Sequence, residues 1–132
     1  MKEDIRIYHE QLNTEEKAIG DALYGVIEDT LSASESKVWH AHPVWFIDGN
    51  PIVGYSKQKA GMKLMFWSGA DFEEEGLNVL GKKFKDASVV YNKVADIHPE
   101  DLKRWLMKSK TIQWDYKNIV KRKGRLEKIE IA

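Results

Sequence analysis

The chain has 132 residues and a mass of 15.3 kDa, with 21 basic and 21 acidic residues that cancel to zero formal charge. That length buries roughly two thirds of the unfolded surface around one core, and 42% hydrophobic with 32% charged residues excludes disordered and collagen-like chains. No run approaches the roughly 18 apolar residues of a membrane span, the opening MKEDIRIYHEQ carries no signal-peptide core, and the absence of cysteine removes disulfides, thiolate metal sites and a cysteine nucleophile, in agreement with a cytoplasmic location.

The neutral total conceals a gradient. Met1 to Leu31 carries 3 basic and 8 acidic residues, whereas Lys103 to Lys128 carries 10 basic and 2 acidic residues. Charge runs of this kind read as the solvated faces of two terminal helices of opposite sign. A basic tail for nucleic acid, or an acidic helix for cations, is the sharper alternative.

Asn13 with Glu16 three residues on forms a capping-box pattern. Ala18, Ile19, Ala22, Leu23, Val26, Ile27 and Leu31 then recur at helical spacing. Asp21 and Glu28 project from the other side, and Lys17 interrupts the acidic ridge one turn before Asp21. Ser32 to Ser36 breaks the helix by offering local side-chain hydrogen bonds.

From Lys37 the period becomes that of strands. Val38 to His42 is a β-prone run ended by Pro43, and Val44 to Ile47 is a second. Asp48-Gly49-Asn50-Pro51 is a strong turn signal, answered by Ile52 to Ser56 as the other arm of a hairpin. Lys57 to Gly61 is the next turn and Met62 to Trp67 the next strand, which makes an antiparallel meander. Ser68 to Lys85 reads as an irregular loop with a short helix at Glu73 to Leu80. Its glycines, Gly69, Gly76 and Gly81, lack the context of a phosphate loop.

Ala87 to Tyr91 is a last strand. His98 then caps a helix with Pro99 at its first position and Glu100 and Asp101 at the positive end of its dipole. Leu102, Trp105 and Leu106 form its buried face. Ile112, Tyr116, Ile119 and Val120 continue the helical pattern past a kink near Ser109, as far as Lys121-Arg122-Lys123-Gly124.

The segment His42-Pro43-Val44-Trp45-Phe46-Ile47-Asp48-Gly49-Asn50-Pro51-Ile52-Val53 resembles the hallmark of the YdhG-like family, a small bacterial domain of unknown function. That hallmark runs Gly-Met-Pro-x-aromatic-x-aliphatic-Asp-Gly-Lys-Pro. Ser68-Gly69-Ala70, Leu80-Gly81-Lys82 and the strand near Val89 look like its later motifs, so the likeness covers about residues 14 to 110. The chain departs at Ala41 and His42, where the family has Gly-Met, and at Asn50, where it has Lys. The resemblance implies one two-layer α+β domain over residues 1 to 132. About four to five antiparallel strands would be covered by N-terminal and C-terminal helices, with a helical extension at 111–132. It also implies a frataxin-like iron chaperone as an alternative function, since a family member has been proposed as one.

Several constellations bear on chemistry. His40 and His42, two apart on a strand, would leave the same face about 7 Å apart and chelate a divalent ion if a carboxylate joined them; otherwise one packs in the core. Asp71, Glu73, Glu74 and Glu75 form a dense acidic run without calcium-loop spacing. Glu15, Glu16, Asp21 and Glu28 are the helix acids that an iron-binding ridge would use. Lys121, Arg122, Lys123, Arg125 and Lys128 lack the interleaved aromatics of a nucleic-acid site. No catalytic motif is present, which argues against an enzyme.

The aromatics say most. Trp39, Trp45, Tyr55, Met65 and Trp67 occupy alternating positions on successive strands, so they would line one face of the sheet. Covered by helices they are core; left open they form an apolar groove. Trp114, beyond the main helix, reads as the exposed tryptophan. The function expected is a cytoplasmic binding or adaptor domain without a cofactor. Its groove would comprise Trp39, His40, His42, Trp45, Tyr55 and Trp67, and its partner would be a small molecule or protein. Pro43 and the Asp48–Pro51 turn are expected to be structural, with Gly49 at positive φ and Asp48 accepting from turn amides.

Overall fold

The structure, a computed structural model, describes residues 1–32 and 34–131; Ala33, inside the Ser32–Ser36 break, and Ala132 lie outside the described residues. The chain opens with a helix that apolar spacing does not announce, α1 (Glu3–Glu10), which buries only Ile5 and His9. Asp4 in its first turn accepts from the Val38 amide at 2.7 Å and so ties the helix to the sheet. In α2 (Thr14–Thr30) the capping box forms in both directions: Asn13 Oδ1 accepts from the Glu16 amide at 2.8 Å, and Glu16 Oε1 accepts from the Asn13 amide at 2.9 Å. Ile19, Leu23 and Ile27 are its buried stripe, extended by Leu31.

Six antiparallel strands follow: β1 (Glu35–Trp39), β2 (His42–Ile47), β3 (Asn50–Gln58), β4 (Gly61–Phe66), β5 (Val79–Leu80) and β6 (Ala87–Tyr91). They lie in the order β1-β2-β3-β4-β6-β5, and α3 (Pro99–Ser109) closes the set. The class is α+β, as expected. The strand beyond the expected five is β5, a two-residue edge piece held to β6 at Val79–Ser88 and Leu80–Ala87.

The run Val38–His42 is not one strand. It folds back at His40 and Ala41, which take φ of 53° and 68°, a two-residue hairpin with both residues left-handed. Neither is a glycine, so the turn is strained. Asp48 (φ 51°) and Gly49 (φ 80°) make the equivalent turn between β2 and β3, with the glycine where positive φ was expected. Asp48 works through its backbone rather than as an acceptor for turn amides: its carbonyl takes the Lys117 ammonium at 2.9 Å. Pro43 lies one residue beyond the last β2–β3 rung, Val44–Gly54, where a missing amide donor costs no ladder bond.

Two expected helices are absent. Glu73–Leu80 is an irregular stretch with Glu73 at φ 58°, preceded by a 3-10 turn at Gly69–Asp71. Glu74, 8% exposed at its side chain, is held by the Arg104 guanidinium, the Lys108 ammonium and the Trp105 indole, a set of partners no local helix would supply. Residues 111–131 form turns rather than a helical extension. The Asp115 amide donates to the Glu127 carbonyl at 2.7 Å and the Ile129 amide to the Gln113 carbonyl at 2.9 Å, around a Trp114–Lys128 bridge. Distant partners thus take the place of most of the i to i−4 ladder, and Val120 stands 86% exposed instead of on a buried stripe.

Candidate functional site

Strand pairing decides which side chains share a face. Trp45 pairs with Val53, Val53 with Phe66, and Phe66 with Ala87; Tyr55 pairs with Leu64. These form the face on which all three helices bear, and Trp45 and Tyr55 are both 0% exposed. Between Trp45 and Phe46 the register shifts, so Ile52 is an extra residue on β3, turned into the same core. Trp45 also donates its indole proton to Glu28 at 2.9 Å.

The opposite face carries no helix among the described residues. Here Trp39 pairs with His42, Lys37 with Val44, and Glu35 with Phe46, while Val44 pairs with Gly54, Gly54 with Met65, and Met65 with Ser88. The six expected groove residues therefore divide. Trp39, His40, His42 and Trp67 gather at this open face; Trp45 and Tyr55 are sealed under α2 and cannot line a groove. The reason is parity: with the turn at His40–Ala41, even-numbered residues of β2 share the face of Trp39, and Trp45 is odd.

The rings on the open face touch one another. Trp39 lies 5.4 Å from Phe46 and 6.1 Å from Trp67, centroid to centroid, and His42 and Trp67 are near-parallel at 6.4 Å. His40 sits against Trp39 at 4.1 Å. On the same face Val44 is 0% exposed and Gly54, which carries no side chain, is buried. Gly54 has to be small, since a Cβ there would meet the Pro43 carbonyl at 2.7 Å and the His42 ring at 3.3 Å. Trp39, Trp67, His42 and Met65 remain part-exposed, and burial lowers the His42 pKa from its ordinary value, keeping the ring neutral at pH 7. Phe46 was not anticipated as a member of this cluster.

His40 lies in the turn and His42 opens the next strand, so they are not alternate residues of one strand as expected. Among the described residues no three His, Cys, Asp or Glu side chains are placed to hold a metal ion. The helix acids have other partners: Glu16 caps α2 and pairs with Lys57, Asp21 takes His9 and Lys17, and Glu28 takes Trp45, while Glu15 is exposed. Trp114 is pinned rather than free, donating to Asp71 at 2.7 Å with the Lys85 ammonium 4.8 Å from its ring centroid.

Sequence reasoning also missed the polar chain inside the helix face. His9, 2% exposed, donates through Nδ1 to Asp21 at 2.7 Å and accepts through Nε2 from the Tyr55 hydroxyl at 2.6 Å. The carboxylate assigns the tautomer. Gly20 on α2 makes room for the ring, which stands 3.3 Å from where its Cβ would be. Burial pushes the Tyr55 phenol far above its ordinary value. The chain resembles an acid-base relay, but with Tyr55 fully buried it reaches no substrate, so its role is to clamp α1 against α2 and the sheet.

Two concavities lie away from the aromatic face. One of about 360 Å³ is bounded by Ile47, Asn50, Gln113, Asp115 and Lys117, and one of about 270 Å³ by Leu31, Ser34, Ile47 and Lys110. The buried polar groups of the first are matched internally, Asn50 with Gln113 and the Lys117 amide, and Asp115 with Asn118 and Arg122. No helix among the described residues is long and apolar enough to cross a membrane. Comparison with known protein families, with curated proteins and with solved structures finds no match.

Proposed function

We propose that this chain is a binding domain that captures a planar ligand by stacking it on Trp39 and Trp67 across the helix-free face of its sheet. One observation carries the reading: two part-exposed indoles stand 6.1 Å apart on a sheet face that no helix covers among the described residues, flanked by Phe46 and His42. Indoles bring large rigid contact area at little conformational cost, and a contiguous apolar patch of this kind marks an interaction surface. The strained His40–Ala41 turn fixes the end of that face, and strain of this sort collects where a geometry is used. The absence of a catalytic motif favours capture over turnover.

The test is a titration of ¹⁵N-labelled protein with a panel of planar aromatic fragments. The indole N–H signals of Trp39 and Trp67 are expected to move, while those of the buried Trp45 and Trp105 stay still. Trp67→Ala should abolish the response without unfolding the protein. Shifts confined to the cavity at Asn50 and Gln113, or no saturable shift at millimolar fragment, would overturn the proposal.

A further inference from the structure

We infer that the ligand of the aromatic face is a planar aromatic anion, a ring carrying a carboxylate or phosphate, held by stacking on Trp39 and Trp67 with its charge met by Lys63 and Lys37. This rests on the function proposed above and adds the charge that the ligand must carry.

The pairing register sets the charges of the face. Lys37 shares it through its pairing with Val44, and Lys63 through its pairings with Ser56 and Val90. The Lys37 ammonium lies 5.1 Å from the Phe46 centroid, on the rim of the ring cluster. Lys63 is part-buried and close enough to His42 to act on its charge. Among the described residues neither lysine pairs with a carboxylate, although other lysines of the chain, Lys17, Lys57 and Lys108, do. Glu35 shares this face as well, paired with Phe46 and two residues from Lys37, but among the described residues it forms no ion pair with either lysine.

Two unpaired cations beside stacked rings are complementary to one ligand class. A neutral ring laid on this face would strip water from Lys63 and return nothing for it. An anionic ring supplies the missing partner, and the indoles supply the stacking surface. The same charges argue against a second copy of this chain as the occupant. A two-fold interface sets a patch against itself, so the two lysines of one copy would be buried against a patch that carries the same two cations.

Matched ligand pairs test this: indole-3-acetate against indole-3-acetamide, and adenosine 5′-monophosphate against adenosine, each titrated by tryptophan fluorescence and by NMR. The anion of at least one pair should bind about tenfold tighter than its neutral partner, and salt should weaken the anion alone. Which pair responds separates a carboxylate from a phosphate. Lys63→Gln, checked for folding by circular dichroism, should bring the two members of that pair to within about twofold of each other; Lys37→Gln provides the same test if Lys63→Gln fails to fold. Equal binding of anion and neutral ligand would overturn this inference and leave the proposed function standing. Absence of binding by all four would remove the proposed function itself. A dimer in sedimentation that Trp67→Ala dissociates would overturn the inference in favour of a second copy.

Discussion

The Nε2 atom of His9 accepts the hydroxyl proton of Tyr55 at 2.6 Å, joining α1 to the centre of the sheet from 46 positions away in sequence. Both residues are buried, so each group depends on the other for its hydrogen bond. Tyr55→Phe strands the Nε2 lone pair and is expected to cost about 1–3 kcal/mol, a fall in melting temperature of roughly 3–10 °C for a chain of this size. His9→Ala should cost more, since it also opens a cavity and releases Asp21. A double-mutant cycle on the pair is the decisive measurement. Coupling near zero would show that the bond does not hold α1 in place.

Glu74 gives the fold an acid limb. The Arg104 guanidinium above all, with Lys108 and the Trp105 indole, outweighs burial and holds its carboxyl well below the ordinary value of 4.5. A depressed carboxyl contributes its full stability above that ordinary value and loses it progressively as pH falls beneath it. Glu74→Gln should therefore melt several degrees below the parent at pH 7, with the gap narrowing by pH 3. Thermal melts at the two pH values check this, and a gap that does not change with pH would contradict it.

Asn50 anchors the C-terminal segment. Its side chain, buried to 3% exposure, donates to the Trp114 carbonyl at 3.0 Å and to Gln113 at 3.2 Å, and accepts from the Lys117 amide at 3.0 Å. Asn50→Ala orphans Gln113 Oε1 and the Lys117 amide, while the Trp114 carbonyl keeps the Tyr116 amide, and is expected to cost about 2 kcal/mol or more. Cleavage by trypsin at Lys117, Lys121 and Arg122 should accelerate while α3 and the sheet stay intact. An unchanged digestion pattern would show that other contacts hold the segment.

Gly49 is required by conformation and not by space. Its φ of 80° disfavours a side chain by about 1 kcal/mol, while a Cβ would meet only the flexible end of Lys117, at 3.1 Å. Gly49→Ala should lower the melting temperature by roughly 3–5 °C and leave aromatic binding unchanged. Full stability with lost binding would make the turn part of a ligand site.

Most features set by neighbours in sequence were legible in the sequence. The Asn13–Glu16 capping box, the stripe from Ile19 to Leu31, the Asp48–Gly49 turn and the Pro99 start of α3 all follow from spacing and backbone preference within a few residues. The meander could be read because each strand answers the one before it across a short turn. The α1 helix escaped notice because Ile5 and His9 are its only buried positions, too few to set a period.

The candidate site depended on what spacing does not encode. Trp39, Trp45 and Tyr55 look alike as alternating aromatics, and a two-residue turn at His40–Ala41, built without the glycine that would signal it, decided which of them face outward. A shift of one residue in a strand moves every side chain to the other face, so the division into a sealed core and an open aromatic face was fixed only by the register of the assembled sheet. The helical period from Ile112 to Val120 failed for a related reason: Asn50, Glu127 and Ile129 offered those backbone groups partners that local sequence does not reveal. Local propensity therefore determined most elements and their ends, because those preferences act over a few residues. Long-range hydrogen bonding and strand register decided which aromatics and which lysines share a surface, because that depends on pairings between segments far apart in the chain.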